Sequence, residues 1–295
     1  MNIDLHVHTT ASDGSLSPAE VIDLAQQVGL GAIAITDHDT LLGARQAVSL
    51  GIPSSIAFVT GVEISAQRPP ALPGPGSLHI LGYAVDLGDR QLNQALDRLQ
   101  EARCSRNPRI IKRLNELGLP LSMAELMADV EPGGQLGRPH IATAMVKQGH
   151  AKSINDAFDR FLGTGKPAYV DKERLGCAEA IATIRGAGGI AVLAHPGLIK
   201  TPSGRLEPDL VATLQAMGLG GIEVYYPEHT PAQTAHYAAL TSRFGLIMTG
   251  GTDFHGDLKP QIQLGSGLGD LNVPMAIYHR LMAAAGISRH RQHKS

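Results

Sequence analysis

Apolar positions along this chain fall into two rhythms, short continuous runs and longer stretches of helical period. The first run, Ile3–Val7, reads as a strand. Side chains two apart on a strand share a side, so His6 and His8 present two imidazoles to one point. Ser17-Pro18-Ala19-Glu20 is a helix start, with Ser as N-cap, Pro in the first turn and Glu at the third position. Val21, Leu24, Ala25 and Val28 mark one face of that helix, and Gly29 ends it. Ala32–Ile35 is apolar throughout, the pattern of a strand buried on both faces. A helix over 43–50 precedes a third strand at 56–59, a Pro/Gly loop fills 68–77, and a fourth strand covers 78–83. Helical period runs from 91 to 117 with Pro108 inside it, which predicts a kink or a break. Residues 118–170 are helical and loop-rich (122–128, 141–148, 154–162), with no clear strand before 168–170. Helices over 178–187, 209–217 and 231–244 then alternate with apolar runs at 190–197, 221–226 and 245–249.

Seven strands alternating with helices predict an α/β fold, a distorted seven-stranded (β/α)7 barrel with a helical insertion. The expected divisions are barrel at 1–100, an inserted helical subdomain capping the substrate at 101–170, barrel again at 171–288, and a disordered basic tail at 289–295. An open doubly wound sheet is the alternative, but no Gly-rich nucleotide fingerprint follows the first strand. With 295 residues, 43% of them apolar, the chain is long enough for a closed core. Its 25 basic and 27 acidic residues nearly cancel, which excludes a global electrostatic case for nucleic acid. Aromatic residues at 4%, with no Trp, argue against stacking platforms for long single strands. Cys104 and Cys177 lie far apart without a C-x-x-C, so reduced, buried thiols are expected. The opening strand leaves no room for a secretory leader, and no apolar run approaches the roughly 18 residues that span a bilayer. A cytoplasmic protein without an obligate protein partner is the expectation.

Histidine changes this bland picture, with thirteen in the chain. Asp13 follows His6 and His8 on a Ser-Asp-Gly turn that can fold its carboxylate back over the strand end. His38, Glu63, His195, Asp253 and His255 all fall where apolar runs end, and in a parallel barrel those ends share one rim. His79 is out of place, near the start of its strand. Mixed imidazole and carboxylate ligands suit Zn²⁺, Mn²⁺ or Fe, and the lack of cysteine ligands disfavours a structural zinc. These side chains exceed what one ion can use, so two or three are implied, with Glu63 the natural bridge. Paired divalent ions turn bridging water into hydroxide and stabilise both entering and leaving oxygens of phosphoryl transfer.

The segments D-L-H-V-H-T-T-A-S-D-G, I-T-D-H-D-T, G-V-E-I-S, L-H-I-L-G-Y, A-H-P-G and G-G-T-D-F-H-G, in this order, resemble the polymerase and histidinol phosphatase (PHP) family over nearly the whole chain. The resemblance implies a seven-stranded distorted barrel with a trinuclear metal centre, and of the ions these ligands suit Mn²⁺ is the first expectation, with Zn²⁺ or Fe²⁺ as the others. By motif, His6, His8, Glu63 and Asp253 would hold one metal, Glu63, His79 and His195 a second, and Asp13, His38 and His255 a third. His79 is thereby restored as a ligand. The attacking hydroxide would lie among Glu63, Asp13 and His195.

Arg103, Arg106 and Arg113 approximate one helical face, and Gly137-Arg138-Pro139-His140 adds a cationic turn. Guanidinium groups there can clamp a second phosphate. Arg103 and Arg113 read as a solvated face, whereas R-N-x-R-I and G-R-P-H-I-A make Arg106, Arg138 and His140 the candidates for substrate. Those two segments resemble the 3′,5′-nucleoside bisphosphate phosphatases of the family. The implied reaction is hydrolysis of the 3′-phosphate to leave a 5′-monophosphate, extended in related members to short 5′-phosphorylated RNA trimmed 5′ to 3′. Ser12 beside Asp13 can donate to a phosphate oxygen. Lys166, Glu228 and His229 are possible rim residues, and Tyr225 and Tyr226 pack or line the rim. The rivals are a histidinol-phosphate phosphatase, which needs one phosphate pocket, and a PHP module kept for binding. A third is a metal-dependent amide hydrolase, for which a bridging lysine would be expected.

Overall fold

The computed structural model describes residues 1–286 apart from 75, 129, 131–133, 135, 202 and 203, and the tail expected at 289–295 lies outside them. The first half contains β1 (Ile3–Val7), α1 (Pro18–Gln27), β2 (Ala32–Ile35), α2 (Leu42–Leu50), β3 (Ala57–Gln67), β4 (Ser77–Tyr83), α3 (Arg90–Glu116), α4 (Met123–Ala128) and α5 (Arg138–Lys147). The second half adds α6 (Ile154–Ala157), β5 (Leu175–Gly176), α7 (Cys177–Gly186), β6 (Ile190–Leu193), α8 (Pro208–Ala216), β7 (Gly221–Tyr225), α9 (Pro231–Phe244), β8 (Ile247–Gly250) and α10 (Met275–Ala284). The Ser17 hydroxyl accepts from Glu20 N, and the Glu20 carboxylate accepts from Ser17 N at 2.8 Å, so α1 opens on the reciprocal cap its sequence spells. Residues 168–170 are not a strand, and the short β5 comes after them.

The strands form one sheet in the order β1-β2-β3-β4-β6-β7-β8, with β5 added beside β3. Neighbours on that path run parallel except β4, which is antiparallel to both β3 and β6. The expected alternation of strand and helix therefore fails between β3 and β4. Only residues 68–76 join them, too few for a parallel crossover, so the chain turns back as a hairpin. β3 is also longer than its apolar run suggested. Residues 57–60 pair with β2, and residues 61–67 continue along β4. The sheet curls until the segment after β8 meets β1, where His8 N donates to Phe254 O at 3.0 Å and Asp253 N to His6 O at 2.9 Å.

Ile3, Leu5, Ala34, Val59, Tyr83 and Val192 pack with Ile277, Tyr278 and Leu281 of α10 in one apolar cluster. The outer side of β3, β4, β6 and β7 packs on α3, α7, α8 and α9 in another. A further cluster is built entirely from residues 110–170, among them Ile110, Leu114, Ile141, Met145 and Leu162. Pro108 does not break α3, because the helix is anchored on both sides: Leu96 and Leu99 in the sheet-side cluster, Ile110 and Leu114 in the 110–170 cluster. Cys177 is buried, but Cys104, expected to be buried as well, is exposed. Among the described residues no helix is long and apolar enough to cross a membrane.

Candidate metal centre

Imidazoles and carboxylates from β1, β3, β4 and the loops after β1, β2, β6 and β8 converge at one end of the sheet. His6 and His8 bring their Nε2 atoms to 3.2 Å, as strand periodicity requires. Glu63 lies between them and the rest, in the middle of β3 rather than at a strand end, because β4 carries β3 onward past β2. Its Oε2 is 3.4 Å from His6 Nε2, 3.2 Å from His8 Nε2 and 3.0 Å from His38 Nδ1. Its Oε1 is 2.8 Å from His79 Nδ1 and 2.9 Å from His195 Nε2. Asp253 Oδ1 is 3.2 Å from His8 Nε2 and 3.5 Å from His255 Nδ1. Asp13 Oδ1 is 3.6 Å from His255 Nε2, and its Oδ2 is 3.8 Å from His38 Nε2. The antiparallel direction of β4 explains His79. The start of β4 lies at the end where the parallel strands finish, with His79 opposite Ser65 of β3.

Three sets have ligand atoms all within 4.8 Å of one another: His6, His8, Glu63 and Asp253; His8, Asp13, His38 and His255; and His38, Glu63 and His79. The last two differ from the motif-based groupings, since His8 joins the Asp13 set and His38 replaces His195 beside His79. His195 approaches Glu63 Oε1 instead. These donors fit divalent ions on a second count. His38 Nδ1 and Glu63 Oε2 are buried and 3.0 Å apart without hydrogen-bond geometry, and neither they nor Asp13 Oδ1 has a hydrogen-bond partner among the described residues. A buried, unpartnered acceptor costs about 1–3 kcal/mol, which a cation at that point would remove.

The carboxylates divide the imidazoles into two kinds. Burial opposes charge on His6, but Glu223, Glu63 and Asp253 outweigh it and hold the imidazole well above its usual pKa. Burial is outweighed at His8 too, where the neighbouring Asp253 and Glu63 carboxylates raise it to about 9. Burial prevails at His38, pushed down to about 3 despite Glu63 and Asp13, and at His255, where the Lys259 charge adds to it. Asp13, Glu63 and Asp253 are also buried, yet their histidines, and Lys259 beside Asp253, hold all three well below the usual carboxylate range.

Several supporting residues escaped the sequence reading. Glu223 Oε1 lies 2.9 Å from His6 Nδ1, fixing which nitrogen of His6 faces the cluster, and its Oε2 accepts from His195 N at 2.6 Å. Asp4 accepts from Thr252 Oγ1 at 2.6 Å and Gly265 N at 2.9 Å, and burial pushes its carboxyl up to about 6. Lys259 Nζ is 2.6 Å from Asp253 Oδ2, which also accepts from Tyr226 OH at 3.1 Å. One signal for Glu223 and Asp4 was available: a carboxylate inside an apolar strand has to find a buried partner. His195 and Asp253 have φ of 28° and 55°, left-handed values that cost non-glycine residues about 1–3 kcal/mol and that cluster at functional sites. Ser12 donates its proton to Asp37 Oδ1 at 2.6 Å, rather than leaving it free for a phosphate. His229 accepts from Gly197 N and donates to Val224 O, so it packs within the fold, while Lys166 is exposed.

Beside the cluster lies a pocket of cations. Arg103, read from sequence as solvated, is 6% exposed, because α3 turns it inward onto Asp39, the residue after His38. Arg103 Nη2 and Lys172 Nζ reach the same oxygen, Asp39 Oδ2, at 2.7 and 2.5 Å. Arg106 is 4% exposed and bonds only the neutral Asn107 Oδ1 among the described residues. Arg138 donates to Leu162 O at 3.1 Å and lies over the rings of Phe158 and Tyr169. Burial, with Arg103, Arg138 and Arg174 nearby, lowers Arg106 to about 9. Burial lowers Lys172 to about 8, against the pull of Asp39. Arg113, by contrast, is exposed, and His140 accepts from Gly137 N at 2.9 Å in the cap of α5.

A curled, mostly parallel sheet with a glutamate among histidines and aspartates at its rim defines an α/β protein with a cluster able to hold metal ions. Residues 4–162 match the PHP domain, and the chain belongs to that family. It is 34% identical to a 3′,5′-nucleoside bisphosphate phosphatase of Chromobacterium violaceum, over 86% of this chain and 87% of that one. It is 34% identical to the 5′-3′ exoribonuclease Rnm of Escherichia coli, over 89% and 87% of the two chains. A solved Bifidobacterium adolescentis structure, whose assignment as a metal-dependent phosphoesterase is itself an inference, superposes with a TM-score of 0.83. That chain is 29% identical, with 98% of this chain and 97% of that one covered.

Proposed function

We propose that this chain is a metal-dependent phosphoesterase that hydrolyses the 3′-phosphate of nucleoside 3′,5′-bisphosphates and trims short 5′-phosphorylated RNA from its 5′ end. The observation that carries this reading is the cation pocket next to the histidine cluster. Arg106 and Arg138 are buried or half-buried with only neutral partners among the described residues, a charge arrangement that calls for a second anion. The names of the relatives from C. violaceum and E. coli support the same substrate class. The residues that would hold two or three divalent ions, with Mn²⁺ first and Zn²⁺ or Fe²⁺ as alternatives, are His6, His8, Asp13, His38, Glu63, His79, His195, Asp253 and His255. Such ions supply Lewis acidity and water of lowered pKa.

The chain's own residues do the positioning. Arg106 and Arg138 bind the 5′-phosphate and so place the 3′-phosphorus at the cluster, and His140 holds the α5 turn that carries Arg138. Glu223 orients His6, and Lys259 and Tyr226 orient Asp253. Residues 101–170 act as the cap over the bound nucleotide.

Phosphate release from adenosine 3′,5′-bisphosphate by Mn²⁺-loaded protein, beside 5′-AMP, 3′-AMP and histidinol phosphate, tests the reading. The bisphosphate should be preferred, and Arg138→Ala should abolish that preference, at a cost of about 10–100-fold in kcat/KM, with metal content unchanged. Equal rates on the monophosphates, or histidinol phosphate winning, would overturn it.

A further inference from the structure

We infer that a cavity on the far side of α5 is a subsite for the nucleoside esterified to the scissile phosphate, the next residue of a short RNA. This inference rests on the proposed substrate class and extends it to a second residue. The cavity measures about 300 Å³ and lies between the loop after β1 and α5. Thr10 and Leu258 bound it on the sheet side, and His140, Thr143 and Ala144 on the α5 side, with Leu126 closing it. It borders the candidate metal centre. A side chain at Gly137, the cap of α5, would lie 3.5 Å from Asp13 Cβ, and Leu258 lies three residues after His255.

Two hydroxyls mark it as a place for a polar ligand. Thr10 Oγ1 on one wall and Thr143 Oγ1 on the other are both buried and have no hydrogen-bond partner among the described residues. Each belongs to a residue that lines the cavity and neither is satisfied by the protein, so a turn about χ1 offers each hydroxyl to a polar ligand there. Leu126, Ala144 and Leu258 make part of the lining apolar and suit the flat face of a base or a ribose, beside the polar Ser15, His140 and Lys147. Orientation supplies the rest. His140, Thr143 and Ala144 fall roughly 140–240° around α5 from Arg138, so the cation pocket and the cavity flank opposite sides of the helix. With the 5′-phosphate held at Arg138 and the scissile phosphorus at the cluster, the cavity is left for the downstream nucleoside. In hydrolysis, a water oxygen bonds to phosphorus, the bond from phosphorus to the 3′-oxygen breaks, and that oxygen leaves with a proton. The phosphate stays on the downstream nucleoside, the part assigned to the cavity.

The test compares kcat/KM for the 5′-phosphorylated dinucleotide pApA with that for adenosine 3′,5′-bisphosphate, which lacks the downstream nucleoside. The ratio of the two should fall about threefold or more in Thr143→Val, through KM, as one hydrogen bond is lost. It should fall at least about tenfold in Ala144→Phe, which fills the space. Calorimetric affinity for pApA in EDTA-treated protein should fall in parallel. An unchanged ratio in Thr143→Val, a near-isosteric change, overturns the subsite, even if both activities drop together in Ala144→Phe. Wild-type protein that hydrolyses the bisphosphate but not pApA also overturns it and leaves the phosphatase reading intact. Cleavage of pApA with the Thr143 dependence, but no action on the bisphosphate, supports the subsite and sinks the phosphatase reading.

Discussion

At the scale of single residues, the centre is governed by how carboxylates distribute protons among buried imidazoles. His6 is held well above its usual pKa and His8 at about 9, whereas His38 is pushed to about 3. A metal needs neutral imidazole, so near pH 7.5 binding must expel protons from His6 and His8. Affinity therefore rises with pH through about 9, where His8 gives up its proton, and the raised His6 adds to the same upward slope. Calorimetric titration of metal-free protein in two buffers of different ionisation enthalpy should show that proton release. Identical heats in both buffers would contradict the assignment. Glu223 offers a second check, since its carboxylate holds both the His6 ring and the His195 backbone. Glu223→Gln removes the charge but keeps the size, and metal affinity should fall about 10–100-fold against a chromophoric chelator. Full retention would make Glu223 a packing residue. His6, His8 and Glu63 were legible from their motifs; Glu223 was not, because its partner lies 217 positions away.

At the scale of elements, the site depends on where strands end and which way they run. β4 brings His79 to the rim only because it is antiparallel, and residues 68–76 are what make it so. The junction of β1 with the segment after β8 is the other critical contact. A Cβ on Gly251 would meet His6 N at 2.3 Å and His6 Cβ at 2.5 Å. Gly251→Ala must therefore push β1 and the 251–255 segment apart, separating His6 from Asp253. Urea unfolding should show a loss of about 1–3 kcal/mol, with metal content reduced in the fraction that still folds. Wild-type stability and metal content would mean that the junction can relax. This dependence was not readable in Gly250-Gly251, where two glycines could equally have marked an ordinary turn.

At the scale of the molecule, the candidate ligands come from the first strand and from the segment after the last, with others from the middle of the sheet. Metal held by them would therefore bind the assembled sheet and not its parts. Mn²⁺ at about a hundredfold excess over its dissociation constant should add roughly 2.7 kcal/mol of apparent stability. A melting temperature several degrees higher than in EDTA is the expected reading. No shift, with metal bound by elemental analysis, would place the ions away from this junction.

By itself the sequence determined the α/β rhythm, the cap of α1, the family and the identity of the candidate ligands. These are properties of local period, capping chemistry and motif spacing, which act over a few residues and are written in them. Tertiary structure alone decided the direction of β4, the inward turn of Arg103 onto Asp39, the buried partners Glu223 and Lys259, and which imidazoles keep protons. The first follows from the short 68–76 connection between paired strands, and the others depend on desolvation and on charges brought together by sheet closure. Arg103, Arg106 and Arg113 show the difference within one helix. Their spacing is visible in the chain, but only the packed structure shows Arg103 turned onto Asp39, Arg106 buried beside Asn107 and Arg113 left in water.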